Sequence, residues 1–403
     1  MNQIFPWSAL PFVLLSVSTA MGSTLSLGDL VQRAIVNAST VERAKADLER
    51  SQTRADSAYT VYAPYVSVVG QYARLSEEEL PEVAPGFSFP QFLDTYSLQI
   101  SAQFALSDYL LTRPALYNIG TQGVALEQAK MSAAKERVAM QTLTLALQWV
   151  AASQAVDVAK AGAETLMKGV QDIKRLQAAG AATRSDALSI EAQHAALTTS
   201  VIRTRGLVKT LELQLGQLLG HPSGTPLPKL DVDLDQPRAF PRLTLEAALE
   251  AALQQRPELE SLRQARALQG YDVDRYFGEL FPELALVGVV DTANPNQRIF
   301  PLVEEFNTTW AVQLTLSWSP NDFVIQRSLY REAQQALKGI DADFRGLKQA
   351  VELELASALA ALETATELAQ ASRSQLKAAE AALDDQKRLF EAGETTSLQL
   401  LER

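Results

Sequence analysis

The chain is 403 residues long, 47% hydrophobic, free of cysteine, and carries a formal net charge of −11. Without cysteine there is no disulfide scaffold, thiolate metal site or cysteine nucleophile, and two histidines, His194 and His221, leave little for imidazole chemistry. The acidic balance argues against nucleic acid as a partner, and no run approaches the ~18–20 apolar residues of a membrane-spanning helix.

Residues 1–22 read as a signal peptide. No charged side chain occurs there, Ala9 to Val17 forms a short apolar core, and Ser18-Thr19-Ala20 offers small residues for cleavage. The core lacks a preceding Lys or Arg, so only the α-amino group is positive.

Residues 23–220 form a first repeat and residues 243–403 a second, joined by a linker over 221–242 that holds Pro222, Pro226, Pro228, Pro237 and Pro241. A helix-like segment opens at Leu25-Ser26-Leu27 and ends near Pro64; another opens at Leu243-Thr244-Leu245 and ends near Pro282. Each proline lies 39 residues after its opening leucine, and each is followed by a strand-like stretch, 65–74 and 283–290. Further on, the segment from Leu176 through Gly180 to Thr183 matches the one from Leu389 through Gly393 to Thr396. The period is too long for a solenoid and marks a duplicated half.

The second strand of each half is the sharpest local signal. Tyr96, Leu98, Ile100, Ala102, Phe104 and Leu106 alternate with Thr95, Ser97, Gln99, Ser101 and Gln103. Trp310, Val312, Leu314, Leu316 and Trp318 alternate with Ala311, Gln313, Thr315 and Ser317. Strand side chains point to opposite faces in turn, so each strand has one oily face and one uncharged polar face. Aromatics near both ends of the oily face give the layout of an outer-membrane barrel strand, with lipid on one side and water on the other. Tyr96, Leu98, Ile100, Phe104, Trp310, Val312, Leu314, Leu316 and Trp318 are therefore expected to face lipid. Four strands cannot close a barrel, and an open sheet in lipid leaves edge groups unpaired. Closure therefore requires oligomerisation: two copies supply eight strands, three supply twelve.

Most of the rest is helix. Val124 to Ala161 and Leu347 to Ala392 contain neither Gly nor Pro. In the latter, Val351, Leu355, Ala358, Leu362, Ala365, Ala369, Ser372, Leu376, Ala379 and Leu383 keep four-three spacing, and a second seam starts at Ala361 on a neighbouring face. One seam packs one partner helix; two imply neighbours on both sides. The fold class expected is mostly α, with a small membrane β part.

These landmarks resemble the TolC-type family of outer-membrane efflux proteins. The resemblance rests on Leu25-Ser26-Leu27 with Ala34, Leu243-Thr244-Leu245 with Ala252 and Pro257, and the helix-to-strand prolines Pro64 and Pro282. To these add the turns Gly180-Ala181-Ala182-Thr183-Arg184-Ser185-Asp186 and Gly393-Glu394-Thr395-Thr396, and Leu215-Gly216-Gln217-Leu218-Leu219-Gly220. The resemblance implies a homotrimer with one twelve-stranded barrel in the outer membrane and a periplasmic tunnel of long helical hairpins. It further implies a passive conduit for drugs, small molecules or secreted proteins, docked on a periplasmic adaptor (membrane fusion protein) and an inner-membrane transporter. Periplasmic tips would be built from Gly180, Thr183, Arg184, Asp186, Gly393 and Thr396, the loops 76–94 and 291–308 would face the exterior, and no cofactor is implied. Where members often carry an entrance Asp, this chain has Gln399; Asp186 and Glu402 remain to supply tunnel-entrance carboxylates, which predicts a weaker acidic gate. The second repeat runs only ten residues past Gly393 against 40 past Gly180, so its final helix is expected to be short.

Enzyme readings fail, because no phosphate loop, nucleophile elbow or zinc helix occurs, and no catalytic, metal or cofactor residues are assigned. The competing reading is a non-channel periplasmic coiled-coil scaffold or adaptor, which has no use for aromatic girdles on its strands.

Overall fold

The computed structural model describes residues 25–77, 91–222, 224, 225, 227, 230, 232 and 244–391. Expectations for the signal peptide (1–22), most of the linker (221–242) and most of the first inter-strand loop lie outside the described residues, as do those for Gly393, Thr396, Gln399 and Glu402. The chain divides into two compact units. Residues 1–39, 136–240 and 371–403 make one, and residues 40–135 and 241–370 the other.

The unit of residues 40–135 and 241–370 holds the sheet. Strands β1 (Tyr65–Arg74), β2 (Asp94–Ala105), β3 (Glu283–Asn294) and β4 (Asn307–Ser317) form one sheet in the order β1-β2-β3-β4. Every neighbouring pair is antiparallel, and β2 pairs with β3 from Tyr96↔Asn294 to Ala105↔Ala285, so the two repeats meet side by side. The exterior loop expected at 291–308 is shorter: Asp291 and Thr308 belong to strands, leaving 295–306 as the connection. Ladder hydrogen bonds continue past the last alternating apolar residue, which is why pattern alone ended β3 too early.

The opening helix of each repeat is two helices, not one. In the first repeat α1 (Leu27–Asn37) stops at Ala38, where ψ is 120°, before α2 (Ser39–Ala58). In the second, α6 (Leu245–Gln255) stops at Arg256, also with ψ 120°, before α7 (Pro257–Gly278). The N-caps correspond as well: Ser26 accepts from the Asp29 N–H and Thr244 from the Ala247 N–H. Adding 218 to 26, 27, 38 and 65 gives 244, 245, 256 and 283, so the duplication is kept cap by cap. The offset lapses in the loop between the strands, since β2 starts at Asp94 and β4 at Asn307, and after β2 the first repeat also inserts a short α3 (Leu106–Leu111).

The long helices overrun the limits expected from their glycines and prolines. Helix α4 spans Arg113–Ala178 and α8 spans Pro320–Glu391. Pro114 is tolerated at the start of α4, where its missing N–H has no helical partner to lose. Two internal glycines serve close packing instead of breaking the helix: a Cβ on Gly120 would come within 2.8 Å of the Ala58 Cβ, and one on Gly162 within 2.9 Å of Leu197. Helix α7 is tied to α8 by Arg256–Glu354 and Arg266–Asp341, each at 2.6 Å.

The unit of residues 1–39, 136–240 and 371–403 is built on an antiparallel hairpin of α4 and α5 (Arg184–Leu218). Contacts climb it in opposed numbering: Lys174–Glu191 at 2.6 Å, Gly162 against Leu197, and Trp149 Nε1 donating to Glu212 at 3.3 Å. Helix α5 ends in a Schellman motif, with Gly220 at φ +68° and the His221 N–H on the Gly216 carbonyl. Leu30 and Ala34 of α1 are buried, and Leu25 bridges to Leu230 of the linker.

Gly278 sits where the end of α7 meets α3: a Cβ there would lie 2.8 Å from the Leu111 carbonyl oxygen and 2.8 Å from Thr112. Backbone cannot yield as a side chain does, so Gly278→Ala should cost about 1–3 kcal/mol. Thermal unfolding checks this, with Gly123→Ala, whose Cβ meets nothing within 4 Å, holding or gaining stability. Equal melting temperatures for Gly278→Ala and the unchanged chain would contradict the packing.

Candidate functional site

Residues directly opposite one another across antiparallel strands share a face. The register draws one row across the sheet as Val68–Ile100–Val290–Trp310 and another as Gly288–Val312 and Leu286–Leu314, with Phe104 opposite Leu286. Tyr96, Leu98, Ile100 and Phe104 of β2 thus join Trp310, Val312, Leu314 and Leu316 of β4 on a single apolar face. All of them are solvent-exposed in the chain, Trp310 at 75% and Leu316 at 68%. Trp318 is exposed as well, but lies just past the end of β4. Sequence pattern missed the rest of this face, namely Val66, Val68 and Tyr72 of β1 with Leu286 and Val290 of β3. Both strands carry valines on each side, so only register assigns them.

A contiguous apolar patch of this extent is not left to water in a stable protein. Aromatics mark its limits: Tyr72 and Tyr96 stack at 5.0 Å near one end, with Trp310 on β4, while Phe104 and Trp318 lie near the other. Tyr96 to Phe104 and Trp310 to Trp318 are the same eight residues apart, about 27 Å along a strand. Tilted by ~40°, that becomes roughly 21 Å, close to the ~25 Å apolar band of a membrane barrel.

The opposite face is largely polar. Its rows run Val69–Gln99–Asp291–Thr309 and Ser67–Ser101–Val289–Ala311, and the Ser67 and Ser101 hydroxyls lie 2.7 Å apart. Ser97, Ser101 and Gln103 are half-buried there.

Pro64 and Pro282 each stand directly before a strand, β1 and β3. Proline removes an N–H and holds the preceding residue extended, so the helix cannot run on. A clasp that the sequence reading missed holds the first junction. The Arg113 guanidinium lies 4.4 Å above the Tyr109 ring and donates to the carbonyls of Val61 and Ala63, while the Tyr109 hydroxyl donates to the Tyr62 carbonyl. The stretch 61–63 thus delivers its carbonyls to side chains where helix has ended and sheet has not begun.

Gly180, Thr183, Arg184 and Asp186 come together in the turn between α4 and α5. Gly180 has φ +76°; its N–H reaches the Gln177 carbonyl, and the Ala181 N–H reaches Leu176, the two bonds of a Schellman motif. Two residues on, Thr183 and Asp186 close a capping box, each side chain accepting from the other's backbone N–H. Val170, Ile173, Ala187 and Ile190 pack beneath. The short turn is therefore rigidly made, and presents Arg184 and the Asp186 carboxylate to solvent.

Residues 361–380 of α8 are exposed throughout, so Leu362, Leu368 and Leu376 of the two seams lie open. Among the described residues no cluster of three His, Asp or Glu side chains could hold a metal ion, and no helix is long and apolar enough to cross a membrane. A cleft of about 1070 Å³ lies between α4, α5 and residues 220–225, and one of about 520 Å³ lies at the base of the sheet beside Trp318 and Phe323.

The outer membrane efflux protein family matches the chain over residues 248–402. No curated protein matches it. Among solved structures, the outer-membrane channel OprN is 19% identical with a TM-score of 0.74, over 93% of this chain and 82% of that one. A membrane protein from Pseudomonas aeruginosa is 19% identical with a TM-score of 0.72, over 93% and 86%. The outer membrane protein VceC from Vibrio cholerae is 14% identical with a TM-score of 0.73, over 93% and 88%. In its second half the chain matches the outer membrane efflux protein family, and over nearly all its length it has the fold of the TolC-type outer-membrane channels.

Proposed function

We propose that this protein is the outer-membrane exit duct of a tripartite efflux pump or type I secretion system. In this reading it is a passive conduit for drugs, other small molecules or secreted proteins, not a catalyst. The observation that carries the reading is the two-faced sheet, with an exposed apolar face bounded by aromatics and a polar face behind it. An adaptor or scaffold working wholly in water has no use for such a face. Three copies form the homotrimer, with twelve strands in one barrel. Two copies would give eight strands, and an eight-stranded interior is filled by side chains. Twelve strands spaced ~4.8 Å apart and tilted ~40° enclose a backbone radius of about 12 Å, wide enough for a conduit.

In this account residues 1–22 direct export and are removed, residues 23–220 and 243–403 are the two repeats, and the long helices line a periplasmic tunnel. The nine side chains from Tyr96 to Trp318 named above meet outer-membrane lipid. The turn of Gly180, Thr183, Arg184 and Asp186, with Gly393 and Thr396, forms the tips that meet a periplasmic adaptor linked to an inner-membrane transporter. Asp186, Gln399 and Glu402 stand at the tunnel entrance. The rigid Schellman and capping-box turn suits a docking tip, because little order must be gained on binding.

Opposite faces of one strand give the test. Leu314→Arg places a charge on the lipid side, costing about 2–4 kcal/mol near the bilayer midplane, and should abolish recovery of the trimer from outer membranes. Gln313→Arg, one residue away on the polar face, should assemble and conduct in planar bilayers. Equal assembly of both variants would sink the lipid-facing assignment, and an unchanged chain found only as a soluble monomer would sink the channel.

The tip yields a pH test. Hydrogen bonds from the Thr183 hydroxyl and N–H hold the Asp186 carboxyl below the ordinary carboxylate range. A depressed folded pKa stabilises the turn above the unfolded value, about 3.9, and that contribution is lost as pH falls through the folded one. Amide hydrogen exchange at the start of α5 should therefore be protected at neutral pH and lose protection below about pH 4. Asp186→Ala should lack the extra protection at every pH; identical exchange in both proteins would remove the capping box from the account.

A further inference from the structure

The sheet contains four charged residues, and their distribution between its faces is lopsided. Arg74 and Asp94 sit opposite each other on the apolar face at the loop end and neutralise one another at 3.1 Å. The other two, Glu283 and Asp291, both belong to β3 and, eight residues apart, to the polar face. No Lys or Arg shares that face anywhere in the four strands. Asp291 lies level with Gln99 and Thr309 toward the loop end, and Glu283 lies level with Ser317 at the helix end. The Gln103 amide, reaching across from β2, donates to Glu283 at 3.4 Å and so helps hold it. Neither carboxylate has an ion-pair partner among the described residues.

We propose that Asp291 and Glu283 form two carboxylate rings, one toward each mouth of the barrel, and that these rings make the barrel itself select for cations. The inference rests on the exit-duct reading above, since three copies are needed to turn two side chains into two rings. It is independent of the tunnel entrance proposed above.

The magnitudes suit a wide pore. With backbone at a radius of about 12 Å, side chains on the lumen face bring the carboxylates to within roughly 8 Å of the axis. The screening length is ~10 Å at 0.1 M salt and ~3 Å at 1 M. At the lower concentration the potential of each ring spans the bore, and low-dielectric walls concentrate it. At the higher concentration it hugs the wall. The other residues of this face carry only hydroxyls, amides or small apolar groups, so no positive charge offsets the rings. An anionic solute would meet a barrier at both mouths of the barrel, and a cationic one would be concentrated.

The test is the reversal potential of the full-length protein in planar bilayers under a tenfold KCl gradient near ~0.1 M, repeated near ~1 M. The unchanged channel should prefer K⁺ at low salt and lose most of that preference at high salt. Asp291→Asn and Glu283→Gln should each lower the K⁺/Cl⁻ permeability ratio by on the order of 2-fold or more, and the double variant should lower it further. Single-channel conductance at high salt should stay within normal range for all of them. Because the chain has no cysteine, Asp291→Cys gives a second route that needs no refolding. An anionic thiol reagent applied to the assembled channel should restore the preference, and a cationic one should depress it further. Conducting variants with unchanged permeability ratios, and no response of the cysteine channel to reagent charge, would overturn the rings while leaving the duct intact. An unchanged chain that conducts nothing would overturn the duct.

Discussion

A backbone N–H or C=O surrounded by hydrocarbon has no water to bond, and each one left unpaired costs several kcal/mol. This constraint governs the sheet. β2 and β3 are paired on both sides, but β1 and β4 each keep a free edge. The apolar face argues for lipid, and lipid forbids the free edges. The proposed exit duct meets both conditions together by pairing β4 of one copy with β1 of the next. On the proposed exit-duct reading, assembly, membrane insertion and the existence of a lumen are a single event, and the exposed apolar face of one chain would become the outer wall of the closed barrel.

The duplicated plan supplies matching halves for that closure. Each repeat starts with a capped short helix, breaks at an extended residue, resumes, and is turned into a strand by proline. Ser26 and Thr244, Ala38 and Arg256, and Pro64 and Pro282 do the same work at equivalent positions. The Arg113 clasp belongs to the first half only, where α3 interrupts the run from strand to long helix. In the second half α8 begins almost at once after β4.

The strands and their two faces were legible because alternation is a period-two signal that survives even in short segments. Valines on both sides of β1 and β3 hid their faces, and it took the pairing with β2 to place Val68, Tyr72, Leu286 and Val290 on the apolar face. The carboxylates of β3 were hidden for the same reason: Asp291 and Glu283 have a meaning only once register says which face they share. Helix limits were the least legible. Gly120 and Gly162 lie inside α4 as points of close approach, where a Cβ would come within 2.8 Å of the Ala58 Cβ and 2.9 Å of the Leu197 side chain. The break at Ala38 has no proline to announce it. Its repeat equivalent does, because Pro257 disfavours helix at Arg256, and transferring that signal by the 218-residue offset would have found the first break. The sequence brought Thr183 and Asp186 together at the α4–α5 turn. Their reciprocal capping, which makes the turn rigid, follows from the Thr-x-x-Asp spacing itself.

Disulfide trapping between the two free edges tests the central claim most directly, in a chain with no cysteine of its own. Cysteines placed pairwise at Val66, Val68 or Gly70 of β1 and at Val312, Leu314 or Leu316 of β4 would be oxidised in outer membranes and separated on a denaturing gel. Closure by edge pairing predicts that one register gives a ladder ending at three linked chains, while pairs shifted by two residues link poorly. A scan in which every pair stays monomeric, in protein shown to be folded and membrane-inserted, would contradict it.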